Sequence, residues 1–433
     1  MSNVVIQKPA AKGCENRAPV FVQAHTDMVC EKTSENRHDF GKDGIEIIRD
    51  GDIVRANGTS LGADNGIGMA ILLRLLEDTF EHPPITAIFT SDEERGLAGV
   101  KNLDLSPFDG MTLVNLDAEE EGIFIASCAG GVRVPVRLPI TREPYKKSPD
   151  TRELQISVCG LKGGHSGLEI DKERANAVLL LERVLRAASR LCEIFLLDIS
   201  GGGKENSIPA NARAVIGFER ARENELKELI AQKAGEITAE YAASDPGIRI
   251  EPLPAVGEYS GRVSRTSFDK LLSLLALLPN GLLKKDVESG AALASANLGV
   301  VKLEDDAVLV SSLIRSNIDS AKYHIAGQFA ALADLLGAAA ELKNDYPAWE
   351  YNPDSNIREI CCRVFEDEFE RKPRVRSIHG GLECAYFAQK RAGLDMISLG
   401  CDIRGVHSID ERFSVSSAGR TYWFLKKVLE RLR

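Results

Sequence analysis

His25, Asp27, Asp64, Glu93, Glu94, Asp117 and His407 are the side chains of this sequence whose types and settings could share one chemistry. Imidazole nitrogens and carboxylate oxygens together suit divalent cations such as zinc. The first two stand in "FVQAHTDMV" (21–29), an apolar run that turns polar at its end. Positions i and i+2 of a strand share a face, so His25 and Asp27 point the same way. A metal-binding imidazole commonly gives its other N–H to a carboxylate. On its own the pair reads more simply as an ordinary strand-end histidine.

The remaining candidates repeat that setting. "GADNGIGMA" puts Asp64 where a turn enters a helix, and a helix N-cap is its ordinary explanation. "TSDEERG" sets Glu93 beside Glu94; neighbouring side chains diverge, so one can ligate while the other faces a water. "NLDAEEEG" places Asp117 directly after an apolar strand, and "GCDIRGVHSIDERF" supplies His407 in a glycine-flanked loop. Each is weak alone. Together they offer imidazoles, several carboxylates and a spare glutamate. That inventory fits a pair of cations bridged by a carboxylate, with the spare glutamate as general base.

Elements must bring these residues together. Segments 3–7, 19–24, 85–94 and 111–122 read as strands, 45–56 as a hairpin and 64–79 as a helix. Polar residues at the ends of strands that alternate with helices suggest an α/β sheet, in which ligands bind beyond the carboxyl ends. After about residue 131 the texture changes. Strands at 212–220, 247–254 and 307–319 alternate with helices at 171–191, 223–244 and 321–343, an α+β pattern. A loop at 345–355 leads back to helix–strand–helix. The expected division is residues 1–131 with 346–433 as one domain and 132–345 as an inserted one.

With 433 residues the chain is too long for one ordinary core. It is 44% hydrophobic and 27% charged, with a formal net charge of −10, which argues against a nucleic-acid surface or an anionic membrane. The apolar stretch 271–281 is too short to span a bilayer and reads as a core helix. Nine cysteines without a C-x-x-C pair read as reduced thiols, giving a cytoplasmic expectation. No G-x-S-x-G occurs, and no cysteine sits in a nucleophile motif.

The order H-x-D, A-D-N-G-I-G, D-E-E-x-G, N-x-D-x-E-E-E-G, G-G-H-S-G and a late G-x-H-S resembles the two-zinc aminopeptidase/aminoacylase superfamily. Within it the chain is similar to the aminoacyl-histidine dipeptidases (peptidase D), the bacterial cytosolic non-specific dipeptidases. "LKGGHSGLEI", "LIRSNIDS" and "IHGGLECAYF" share the likeness, which covers nearly the whole chain. The resemblance implies a catalytic α/β domain with a mixed central sheet flanked by helices, plus an inserted α+β lid. It implies two divalent cations, zinc foremost, with manganese or cobalt as alternatives. His25 and Asp117 would bind one, Glu94 and His407 the other, and Asp64 would bridge them. Asp27 would orient His25, and Glu93 would be the general base. In the lid, His165 would stabilise an oxyanion. Asn206 and Arg315 would hold the substrate, Arg315 on its C-terminal carboxylate, and Gly381 would lie near its backbone. The implied activity is hydrolysis of dipeptides, Xaa-His and carnosine-like peptides included, by a homodimer.

The same resemblance marks departures. Its members carry a further helix and strand before the segment matching "NVVIQKP", so a short N-terminus is expected to affect the S1 side and to expose a sheet edge. "NSIPANA" (206–212) lacks charges common after that proline, and Ala385 stands where glycine is common. The alternatives are an aminoacylase or tripeptidase of the same superfamily, or an inactive homologue with a binding or assembly role.

Overall fold

The computed structural model describes residues 2–287 and 289–433. The chain forms two units: Ala129–Ala348 is one, and the segments up to Cys128 and Trp349–Arg433 make the other.

The split unit is built on a seven-stranded sheet. Its order is Val4–Lys8, Ile85–Thr90, Val20–His25, Thr112–Asn115, Asp395–Ser398, Ile123–Cys128 and Arg374–Ile378. Strands Val20–His25, Ile85–Thr90 and Ile123–Cys128 are buried along their whole length. That is why their sequences run apolar without alternating. The strand pairs around Val20–His25 are parallel and end toward the same edge: His25 pairs with Thr90, while Asn115 pairs with Gln23 and Ser398, two residues short of His25. Residues that follow these strands therefore leave from one edge. Val4–Lys8 is the antiparallel terminal strand at the other side.

Helices Ala63–Glu77, Asn356–Phe369 and Val415–Arg431 contribute Leu72, Leu75, Val364, Phe365, Leu425 and Val428 to the core around this sheet. Phe124 of the sheet meets Phe365 edge-on at 5.6 Å and stacks on Phe424 at 5.4 Å, a geometry that aromatic quadrupoles favour. A small four-stranded sheet joins Ile47–Asp50 and Ile53–Ala56 to Arg412–Ser414 and Ile403–Arg404. The loop between its last two strands carries His407.

The other unit has a ten-stranded, antiparallel sheet with one large core beneath helices Ala177–Leu191, Glu223–Glu240, Arg265–Leu277 and Asp319–Leu336. Arg265–Leu277 buries Leu271, Leu272, Leu274 and Leu275, as a core helix should. No helix among the described residues is long and apolar enough to cross a membrane.

Three expectations are corrected. The strand expected at 111–122 closes at Asn115, because the acids after it leave the sheet. Helix 171–191 begins only at Ala177, where the Asn176 side chain accepts the Val178 N–H. Helix 321–343 ends at Leu336, because Gly337 adopts φ 71° and its N–H turns back to Ala333 and Asp334 carbonyls. The chain then enters strands Ala339–Ala340 and Lys343–Tyr346, both paired with Gly130–Pro139.

Phe365→Ala removes the ring shared by Phe124, Phe424 and Phe369. The expected loss is about 3–5 kcal/mol, read as a lower urea midpoint of the split unit.

Candidate metal centre

His25 ends a buried strand and is itself 1% exposed. Its Nδ1 lies 3.0 Å from the Asp27 backbone carbonyl. A carbonyl only accepts, so Nδ1 carries a proton; Nε2 donates to the acids while the ring is charged and offers them a lone pair once it gives up its own proton to a cation. Nε2 faces Asp64 Oδ1 at 3.1 Å and Asp117 Oδ1 at 3.3 Å. Three acceptors aimed at one point repel each other unless a proton or a cation lies between them.

Asp64 continues the pattern. Its Oδ2 is 3.3 Å from His407 Nε2, which is 2.9 Å from Glu94 Oε1. Ligand atoms within 4.8 Å of one another form three groups: His25, Asp64 and Asp117; Asp64, Glu94 and His407; and His25, Glu93 and Glu94. Asp64 belongs to the first two, with one oxygen toward each imidazole. The buried Glu94 Oε1 faces the His407 ring at 2.9 Å, so that imidazole and the Asp64 and Glu94 carboxylates share one small space.

Helix capping does not explain Asp64. It sits at the start of helix Ala63–Glu77 but is itself non-helical, and its peptide bond to Asn65 is cis. The loose N–H groups of that turn donate to another residue. Leu61, Gly62 and Asp64 N–H bind the carboxylate of buried Glu411 at 2.7, 2.8 and 3.1 Å. Asn65 donates its side-chain amide to Asp117 Oδ1 at 2.8 Å, so consecutive residues serve two acids.

Asp27 acts on two partners. Its carboxylate is 3.7 Å from His25 Nδ1, beyond hydrogen-bond reach. It accepts the backbone N–H groups of Glu93 at 2.9 Å and Glu94 at 3.0 Å. The backbone of Asp27 thus serves His25 while its side chain fixes the acid pair. His407 is held at φ 59° in a loop where a Cβ on Gly405 would come within 2.7 Å of the Asp410 carbonyl.

Electrostatics follow from burial and crowding. Burial, then the Asp117 charge, push Glu93 well above the ordinary carboxyl range. Burial lifts Asp117 to about 6 against the pull of His25, and Glu119 to about 7, aided by the charges of Asp64 and Asp117. Asp64 is held low: its burial is outweighed by hydrogen bonds from His25 and His407. Hydrogen bonds to Asp64 and Glu94 raise His407 to about 10. Both imidazoles act here as the positive charge that the acids demand. A mixed nitrogen and oxygen donor set in which Asp64 turns one oxygen toward each imidazole fits a pair of divalent cations.

Behind the centre lies Glu383, wholly buried, accepting from Gln23 Nε2 at 2.5 Å and Thr90 Oγ1 at 2.6 Å. Gln23 in turn accepts from Asn115 Nδ2 at 2.6 Å, which ties three strands together just below His25. Gly381 is half-buried between strand Arg374–Ile378 and helix Cys384–Lys390.

The other expected residues belong to Ala129–Ala348. His165 Nδ1 accepts the N–H groups of Gly167 at 3.2 Å and Leu168 at 3.1 Å. Its neutral ring therefore carries the proton on Nε2. The Asn206 carbonyl accepts the Ser166 N–H at 2.9 Å, joining Asn206 to the His165 turn. Arg315 lies on strand Ala307–Ser316, 7% exposed, with Nη1 donating to Tyr346 Oη at 2.8 Å.

The sequence model of peptidase family M20/M25/M40 matches residues 21–431. The chain belongs to this family. A cytosol non-specific dipeptidase of Escherichia coli strain K12 is 36% identical over the whole chain and 89% of its own length. The crystal structure of an aminoacylhistidine dipeptidase from Vibrio alginolyticus matches with a TM-score of 0.91 and 34% identity, covering 100% of this chain and 88% of that one. A tripeptidase from Staphylococcus aureus shares the fold at a TM-score of 0.58 and 15% identity, covering 99% of this chain and 84% of that one. As an M20 member the chain is a metallopeptidase, a hydrolase of peptide bonds from a metal-dependent and typically dinuclear family.

Sequence reasoning passed over several residues of this M20 centre. Glu411 stands four positions after His407 inside a quoted motif and reads as a solvated acid. Gln23, Asn65, Asn115 and Glu383 carry no local signal of their buried partners. Glu411→Ala strands three N–H groups. The expected cost is at least about 1–3 kcal/mol of stability, with metal affinity down about 10–100-fold in a competition titration against a chelating dye.

Proposed function

We propose that this chain hydrolyses dipeptides, Xaa-His peptides among them, at a pair of divalent cations, zinc foremost. The observation that carries this is the double cluster sharing Asp64, with one imidazole on each side. The names of its Escherichia coli and Vibrio relatives supply the substrate class. His25 and Asp117 would hold one cation and Glu94 and His407 the other, with Asp64, common to both clusters, shared by them. When bound, the cations supply Lewis acidity for the scissile carbonyl and a water made acidic near neutral pH.

The chain's own residues do the rest. Glu93, buried among acids, takes the proton of the attacking water and passes it to the leaving amine. Asp27 keeps Glu93 and Glu94 in place through their backbone N–H groups. His165 offers its Nε2–H to the developing oxyanion, since Nδ1 is already occupied. Arg315 takes the substrate's C-terminal carboxylate, helped by Asn206, and Gly381 leaves room for the peptide backbone. A buried guanidinium suits that carboxylate because its planar fork can bind bidentately. A tethered C-terminus limits the substrate to short peptides.

A homodimer through Ala129–Ala348 belongs to the same proposal, supported by the strand Arg249–Pro254 that ends its sheet. The cytosol named for the Escherichia coli relative supports a cytoplasmic enzyme.

The test is metal content with turnover of an Xaa-His dipeptide, before and after chelation. Two metal equivalents and turnover restored by zinc or manganese are expected. Faster turnover of N-acyl amino acids or tripeptides would reassign the substrate. Metal without turnover of any of these would leave an inactive binding protein. Glu93→Gln should keep both equivalents and lower kcat about 10²–10⁴-fold. Loss of metal in that variant would make Glu93 a ligand instead.

A further inference from the structure

Arg315 is a buried cation with little to satisfy it. It is 7% exposed, its Nε is buried without a partner, and among the described residues it makes no ion pair within 4.0 Å. The one side chain recorded against its guanidinium is Tyr346, whose Oη accepts from Nη1 at 2.8 Å. These residues are not on neighbouring strands. Arg315 pairs with Gly131, and Gly131 pairs on its other side with Tyr346. Adjacent strands lie about 4.8 Å apart, so Tyr346 and Arg315 start roughly twice that distance from each other. Directly paired residues share a face, and the tyrosine and arginine must meet above the glycine.

Gly131 makes this meeting possible. A Cβ there would lie 2.5 Å from Tyr346 Oη and 2.7 Å from its Cζ. Gly130 is equally constrained, since a Cβ would lie 2.6 Å from Ala348 N. Gly131 leaves the space in which the tyrosine ring lies, and Gly130, on the opposite face, lets the backbone of 346–348 approach closely.

The base of Tyr346 is clamped as well. Lys322, fully buried, pairs with Asp319 at 2.9 Å and Asp345 at 2.8 Å and donates to the Tyr346 carbonyl at 2.7 Å. Asp319 also accepts the Ala348 N–H at 3.1 Å. An ion triad that holds only backbone and acids stabilises little by itself. Its placement here fixes the backbone from which the tyrosine projects. With Nη1 taken by a neutral acceptor, the guanidinium keeps its full charge and its remaining N–H donors for an anion.

We propose that Tyr346 is a positioning residue that reaches across the side-chain-free Gly130–Gly131 strand and aims Arg315 at the substrate's C-terminal carboxylate. This rests on the carboxylate role proposed above for Arg315. Tyr346 touches no reacting atom. Its effect is on which substrates are preferred, through one hydrogen bond to a buried cation.

Tyr346→Phe keeps the ring and removes the acceptor. In this variant the kcat/KM of Ala-His relative to its C-terminal amide should fall about tenfold, carried by KM for the free dipeptide. Gly131→Ala should shift the ratio the same way, and its urea midpoint shows whether it is folded. Binding of L-histidine against histidinamide, followed by calorimetry on the full chain, reads the same preference without turnover. In the wild type the acid should bind better than the amide, and Tyr346→Phe should narrow that gap. A folded Tyr346→Phe chain with unchanged acid-over-amide ratios, or one that loses both substrates equally, would overturn the proposal. So would a wild type that binds acid and amide alike. Failure of the dipeptidase reading looks different: no wild-type turnover of Ala-His, with the histidine preference still measurable.

Discussion

Everything at the metal centre depends on parallel strands that end toward one edge. Because His25 and Thr90 end their strands side by side and Asn115 ends its own two residues short of them, the next few residues of each strand have one common space to enter. Those residues are Asp27, Glu93, Glu94 and Asp117. Hydrophobic burial of the strands drives the sheet together, and it drags the acids with it. Like charges are thereby concentrated where water is scarce, a costly arrangement unless positive charge compensates it. The imidazoles compensate in part, and the raised Glu93 and Asp117 carboxyls mark what they leave undone. The repulsion is what makes the site useful: it is stored affinity for cations.

The supports of the site are polar and buried, and each comes from far along the chain. Glu411 reaches the turn before Asp64, and Glu383 reaches Gln23 and Thr90. Such contacts set ligand directions without joining the ligand set, so the centre has an inner set of donors and an outer set that aims them. The other unit repeats the principle with different parts. There a tyrosine and a lysine clamp hold a lone guanidinium where a glycine strand leaves room.

What the sequence made legible was local. Strand-end acids and histidines announce themselves because an apolar run cannot otherwise tolerate them, and motif order carried the family. Partners were not legible. Glu411 and Glu383 resemble any surface acid until the fold buries them. "GAAAELK" has strong helix formers, yet the helix stops before it, because one glycine in a left-handed conformation outweighs the propensity of the alanines that follow. The same error concealed Tyr346, which reads as part of a polar loop and is in fact the end of a strand. Asp64 shows the opposite case: a residue with a good ordinary explanation, helix capping, that the structure gives to a different carboxylate.

The seam between the two halves of the split unit has a consequence for synthesis. Cys128 and Trp349 exchange backbone hydrogen bonds of 3.0 and 3.1 Å, so the chain leaves and re-enters at one point. Strand Asp395–Ser398 lies inside the sheet, between strands made before the excursion. On a ribosome, the N-terminal strands therefore wait with an open gap while the whole intervening unit emerges as one continuous stretch. That unit has all its own partners and can fold during the wait. The unit begun before the excursion is completed after it, and His407 arrives only with the second segment. Cation capture thus waits on the second segment: a polypeptide cut short before residue 407 has the acids but lacks one of the two imidazoles that gather around them.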